Sequence, residues 1–133
     1  MYLLDTNIVS DLVRNPQGVV ADRIAAVGED KVVTSIIVAG ELRFGAERRA
    51  SMRLTTQVEV VLGLLPVLSL DEGADIHYGR VRARLERKGQ VIGANDLLIA
   101  AHTLAIGATL VTDNVREFAR VAGLPVENWL RAN

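Results

Sequence analysis

The sequence predicts a parallel α/β sandwich. Short apolar runs alternate with amphipathic helical stretches along the chain, and glycine or proline punctuates most junctions. A length of 133 residues at 50% hydrophobic content suffices for one core with helices on both faces of a sheet. No repeat, low-complexity tract or linker divides the chain, so one domain is expected over 1–133. The sheet should be mainly parallel, with four or five short strands, because each strand candidate is followed by a helix that can cross back.

The apolar run 2–4 reads as the first strand, and Thr6 is a candidate N-cap for a helix carrying Ile8, Val9, Leu12 and Val13. Pro16 can open a second helix that ends at Gly28. Val32 and Val33 begin the next strand, Thr34 or Ser35 caps the helix after it, and Gly45 should weaken or stop that helix. An amphipathic helix is expected over 51–64, broken by Pro66, then a strand over 67–70 and a helix over 71–88 ended by Gly89. The stretch 95–106 is almost wholly apolar beyond its first turn, as in a helix buried on most sides. A strand over 108–111, a short helix over 116–121 and a last strand over 125–129 complete the pattern.

Composition excludes several chemistries. With no Cys there is no disulfide framework, thiolate zinc site or thiol nucleophile. The N-terminus lacks a basic leader followed by an apolar stretch, and the longest apolar run is too broken to span a bilayer, so a soluble, cytoplasmic protein is expected. The net charge of -1 gives no global field for nucleic acid, and any such binding must come from a local patch. His77 and His102 lack a partner at metal-binding helical spacing and read as structural or surface residues, and Trp129 reads as an anchor for the C-terminus.

In parallel sheets the functional crevice lies beyond the carboxyl ends of the strands. Asp5 and Asp113 directly follow strand candidates and should share that rim. Asp96 sits in the first turn of the buried helix, either as a plain capping acid or pointing into the crevice. Glu41 lies three and four residues after Val38 and Ile37, on or beside a buried face, unless it sits solvated at the edge. If these four converge, their repulsion calls for a cation, and an all-oxygen donor set selects Mg²⁺ or Mn²⁺ over zinc or copper. Such a site suits phosphodiester hydrolysis. Asn7, Thr6 and Thr112 are candidates to orient the acids beside them, or else are cap and turn residues.

The ordered segments Leu4-Asp5-Thr6-Asn7, Glu41-Leu42-Arg43-Phe44-Gly45, Asn95-Asp96-Leu97-Leu98-Ile99-Ala100 and Val111-Thr112-Asp113-Asn114 resemble the PIN-domain family, most closely VapC-type ribonuclease toxins of type II toxin–antitoxin systems. The likeness extends to Arg116-Glu117-Phe118 and Glu127-Asn128-Trp129-Leu130. It implies a three-layer α/β/α sandwich and a Mg²⁺- or Mn²⁺-dependent endoribonuclease acting on RNA, inhibited by a cognate VapB-type antitoxin. Asp5, Glu41, Asp96 and Asp113 then form the acidic quartet, with Asp5, Asp96 and Asp113 as metal ligands.

Thirteen of the 15 basic residues are Arg, and Arg43, Arg82 and Arg84 are candidate RNA contacts within two basic clusters. The excess apolar surface of 51–65, with the first helices, is expected to form a groove for an antitoxin helix. Dimerisation, with higher assembly on the antitoxin, completes this reading, and no membrane partner is expected. The competing readings are a non-catalytic α/β module with a regulatory cation site, and a phosphatase with Asp5 as nucleophile. The second is disfavoured because Asn7 stands where a second acid is wanted.

Overall fold

In the computed structural model, which describes residues 1–131, five strands form one sheet: β1 (Tyr2–Leu4), β2 (Val32–Ser35), β3 (Val67–Leu68), β4 (Thr109–Val111) and β5 (Val126–Glu127). All pairings are parallel and the order is β3-β2-β1-β4-β5. Leu3 lies opposite both Val33 and Leu110, so the middle of the sheet is aliphatic and fully buried. The chain builds outward from β1 to one edge and then returns to the other side of β1. The topological switch therefore falls between β1 and β4, where a crevice opens at the carboxyl ends.

Seven helices cover the sheet: α1 (Thr6–Arg14), α2 (Val19–Val27), α3 (Ile36–Arg49), α4 (Met52–Leu64), α5 (Ala74–Arg87), α6 (Ala94–Ala105) and α7 (Val115–Phe118). The core runs from Leu3, Leu4, Ile8 and Val9 through Val38 and Ile99 to Leu110 and Phe118, all fully buried. Each such side chain contributes on the order of 1.5–3 kcal/mol by leaving water. Among the described residues no helix is long and apolar enough to cross a membrane.

Several boundaries differ from expectation. Asp5, not Thr6, caps α1, its carboxylate accepting the Thr6 N–H. Pro16 lies in the turn before α2, whose cap is Gly18. Gly45 does not stop α3, because Leu42 and Ala46 around it are buried and the packing offsets its weak propensity. The third strand shortens to two residues, and α5 starts only after Gly73, whose φ of 98° a side chain would strain.

Ser35 caps α3 by accepting the Ile37 N–H at 3.1 Å and also meets His102 Nδ1 at 2.8 Å. His102 is thus a core residue tying α6 to the start of α3, and burial pushes its pKa down so that it stays neutral. Trp129 is buried as expected, donating from Nε1 to Glu127 at 3.0 Å, packed on Tyr2 and covered by Arg23.

Candidate active site

The acids gather where the topology places the crevice. Asp5 leaves β1 into the N-cap of α1, and its N–H donates to the Val111 carbonyl of β4 at 2.9 Å. The residue is only 3% exposed, so its donors decide the orientation of its carboxylate. Thr112 Oγ donates to Asp5 Oδ2 at 2.7 Å, the Thr6 N–H donates to Oδ1 at 2.7 Å, and Asn7 Nδ2 approaches Oδ2 at 3.4 Å. Burial nevertheless pushes the Asp5 pKa up, and the charge of Glu41 adds to the shift.

Glu41 lies on the half-buried flank of α3. Its oxygens accept from the Thr6 hydroxyl and, at 3.3 Å, from Asn95 Nδ2 on α6. Thr6 reaches Asp5 through its backbone and Glu41 through its side chain, Thr112 bonds Asp5, and Asn7 bridges Asp5 and the loop after β4. Asn7 Oδ1 accepts the Asp113 N–H at 2.9 Å.

Asp96 stands in the first turn of α6, near the positive end of the helix dipole. Its pKa is pushed up to about 7 by burial, by Glu117, and by the charges of Asp5 and Glu41. The same causes locate it among three other carboxylates. Glu117, on α7, accepts the Gly93 N–H at 3.0 Å and a second bond from Asn114 Nδ2. A side chain at Gly93 would place Cβ 3.4 Å from Asp96 Oδ2 and 4.0 Å from Glu117 Oε1. Gly93 thus floors the space that the two acids share.

Asp113 stands on the same rim after β4 but is bonded to other partners. Its carboxylate faces the C-terminal segment, accepting from Asn128 Nδ2 at 3.0 Å and from Arg131 Nε at 3.4 Å. These partners hold its pKa down, whereas the three carboxylates acting on Asp96 are those of Glu117, Asp5 and Glu41. One turn of helix separates Asp113 from Glu117 along the chain, and the turn at Asn114 directs the second inward. The ring of Phe118 beside it is fully buried and so fixes which way α7 faces.

The basic candidates also separate. Glu59 clasps Arg43 through two bonds of 2.9 Å. Glu86 and the Tyr78 hydroxyl hold Arg82, each at 2.8 Å. Both guanidinium groups are thus occupied within the chain. Arg84 has no ion-pair partner among the described residues.

A PIN-domain family model matches residues 2–124. The chain belongs to the PIN-domain family. This PIN domain is 35% identical over 131 residues to Ribonuclease VapC2 of Rickettsia felis, covering 97% of this chain and 98% of that one. It is 36% identical over 129 residues to the tRNA(fMet)-specific endonuclease VapC of Shigella flexneri, covering 96% and 97%. Among solved structures it is similar to VapBC2 from Rickettsia felis bound to a DNA fragment from their promoter, with a TM-score of 0.89, 33% identity and 96% and 98% coverage. The corresponding values for VapBC-1 from nontypeable Haemophilus influenzae are 0.85, 34%, and 98% of each chain. The PIN domain is a nuclease of the VapC ribonuclease kind, which leaves the binding-module and phosphatase readings behind.

Among the described residues, no three acidic or imidazole side chains already stand as a closed ligand cage. The fit to a divalent cation rests on donor chemistry. The set is all carboxylate, and Asp5, Glu41 and Glu117 have their oxygens oriented by neutral donors. Asp96 is surrounded instead by negative charge, which a hard cation would neutralise.

Proposed function

We propose that the acid cluster of this VapC-type toxin hydrolyses RNA phosphodiester bonds with Mg²⁺ or Mn²⁺, and that a VapB-type antitoxin restrains it. The observation that carries the reading is the convergence of Asp5, Glu41, Asp96 and Glu117 in the crevice at the carboxyl ends of β1 and β4, with Glu41 tied to Thr6 and Asn95, and Gly93 flooring the space between Asp96 and Glu117. Asp5 and Asp96 would hold the ion, with Glu117 in the place that the sequence suggested for Asp113. The ion supplies charge neutralisation at the phosphate and acidifies water.

The protein's own part is to fix the acids before substrate arrives. Thr112 and the Thr6 N–H orient Asp5, Thr6 and Asn95 orient Glu41, and the Gly93 N–H and Asn114 orient Glu117. Such preorganisation avoids rearranging donors during reaction. Glu41 keeps both oxygens bonded and adds its negative charge to the cluster beside Asp5 and Asp96.

A groove of about 330 Å³ runs from Thr6 and Glu41 between α1, α3 and α4, with Val13, Leu42, Leu54 and Val58 along it. An antitoxin helix seated there would reach the acids, so binding and inhibition would be one event. A homodimer fits the exposed Leu70 and Ile76 around a second cavity of about 780 Å³ at the start of α5. Cytoplasmic action follows from an RNA substrate.

The test is cleavage of cellular RNA and of an initiator transfer RNA transcript by antitoxin-free protein with Mg²⁺, Mn²⁺ or EDTA. Discrete metal-dependent cuts that vanish in folded Asp5→Ala and Asp96→Ala proteins are expected. Cleavage that persists in those variants, or none with either metal, would overturn the assignment.

A further inference from the structure

We infer that the cavity between α5 and the segment following α7 is a subsite for a phosphate of the RNA strand flanking the cut bond, an inference resting on the nuclease function proposed above. The cavity holds about 240 Å³. Arg80 and Arg84, one turn apart on α5, line one wall, and Arg120 lines the other. The floor is apolar, formed in part by Leu85, Leu104 and Val121.

Three exposed guanidinium groups converge on one small cavity and concentrate positive charge there. Among the described residues no carboxylate pairs with any of the three, although the chain as a whole carries a net charge of -1. An anion complements that concentration of charge, and the planar fork of Arg matches a phosphate. The apolar floor can accept the ribose or base attached to that phosphate, which a free inorganic anion would leave bare. Arg43 and Arg82, by contrast, already have carboxylates of their own.

The cavity is joined to the acid cluster by one linker. Arg120 follows Glu117 by three residues and donates its N–H to the Glu117 carbonyl at 3.2 Å. Its Nη1 donates to the Val91 carbonyl at 3.1 Å, which holds the guanidinium in place. Two residues further along, the Gly93 N–H donates to Glu117 Oε1 at 3.0 Å. The connection from α5 to α6 is therefore pinned to the α7 region at the acids and again at the cavity. An RNA strand reacting at the acids crosses this linker and sets a flanking phosphate among Arg80, Arg84 and Arg120.

The experiment compares Arg80→Glu, Arg84→Glu and Arg84→Lys with wild type, using an initiator transfer RNA transcript. Lys31→Glu serves as a charge-matched control, since Lys31 precedes β2 at the opposite end of the sheet. Each Arg→Glu change is expected to raise KM about tenfold with kcat held within about twofold, and to flatten the dependence of log affinity on log salt by about 0.7 per lost contact. Arg84→Lys should recover most of the loss. Affinity for the same RNA, measured for every protein in EDTA, reads the subsite without any cleavage. Failure of the wild type to cut counts against the nuclease reading, and the EDTA affinities still decide the subsite. Affinities and salt slopes matching those of Lys31→Glu, or a fall in kcat with KM unchanged, would overturn the subsite while leaving metal-dependent cleavage intact.

Discussion

Asp96 carries the largest electrostatic strain in the site, and that strain has a measurable sign. A folded pKa of about 7, against an ordinary 3.8, means that the folded protein holds a proton which the unfolded chain releases more easily. This contribution to stability is complete below about pH 4 and is lost as pH rises through about 7. Metal-free protein should therefore lose thermal stability across that window, and Asp96→Asn should flatten the loss. Added Mg²⁺ should raise Tm more at about pH 8 than at about pH 5, because only the ionised cluster offers ligands. An identical Mg²⁺ response at both pH values would contradict a cation site at these acids. The proposed exchange of Asp113 for Glu117 has its own test. Glu117→Gln should lower kcat by about 100-fold or more, the loss expected when a charged group acting at the transition state is removed. Asp113→Asn should cost less than about threefold, because Asn128 and Arg131 lie outside the acid cluster. Equal losses in single-turnover cleavage would restore Asp113 to the quartet.

Ser35 joins two elements that carry site residues, since it caps α3 below Glu41 and meets His102 on α6. Ser35→Ala removes the cap, worth about 1 kcal/mol, and leaves a buried imidazole with no partner at either nitrogen, worth a further 1–3 kcal/mol or so. Urea unfolding should show a drop of about 2–4 kcal/mol from these two causes together, and Ser35→Thr should retain most of the stability. The element scale also shows what the sequence makes legible. The strands bordering the crevice, β1 and β4, were readable because an apolar run ends at a polar residue, and that pattern also placed Asp5 on the rim. Glu41 was readable as an acid on a buried face. The cap of α1 was misread by one residue because Asp5 and Thr6 are both good capping types, and only the backbone chooses between them. Glu117 was hidden for a related reason. Asp113 and Glu117 both follow β4, and the single turn of α7 that directs one inward leaves no periodic signature in four residues.

At the scale of the molecule, the groove between α1, α3 and α4 joins the core, the acid site and the proposed antitoxin surface, because Thr6 and Glu41 stand at one end of it. Gly45 lines this groove, and a Cβ built there meets nothing within 4 Å. Two substitutions at this one position should therefore separate folding from partner binding. Gly45→Ala should stabilise α3 by up to about 1 kcal/mol, since glycine in a helix interior costs about that much relative to alanine and no neighbour has to move. Gly45→Leu keeps the helix-favouring backbone but projects a branched side chain into a cavity of about 330 Å³. It should hold Tm at or above the wild-type value while weakening antitoxin binding by about tenfold or more, the effect of overfilling a close-packed apolar contact. Titration of each variant with the cognate antitoxin, beside thermal unfolding of the free protein, reads both quantities. If Gly45→Leu bound antitoxin like wild type, the antitoxin helix would have to lie elsewhere, and inhibition would require transmission through the fold instead of direct occupation of the path to the acids.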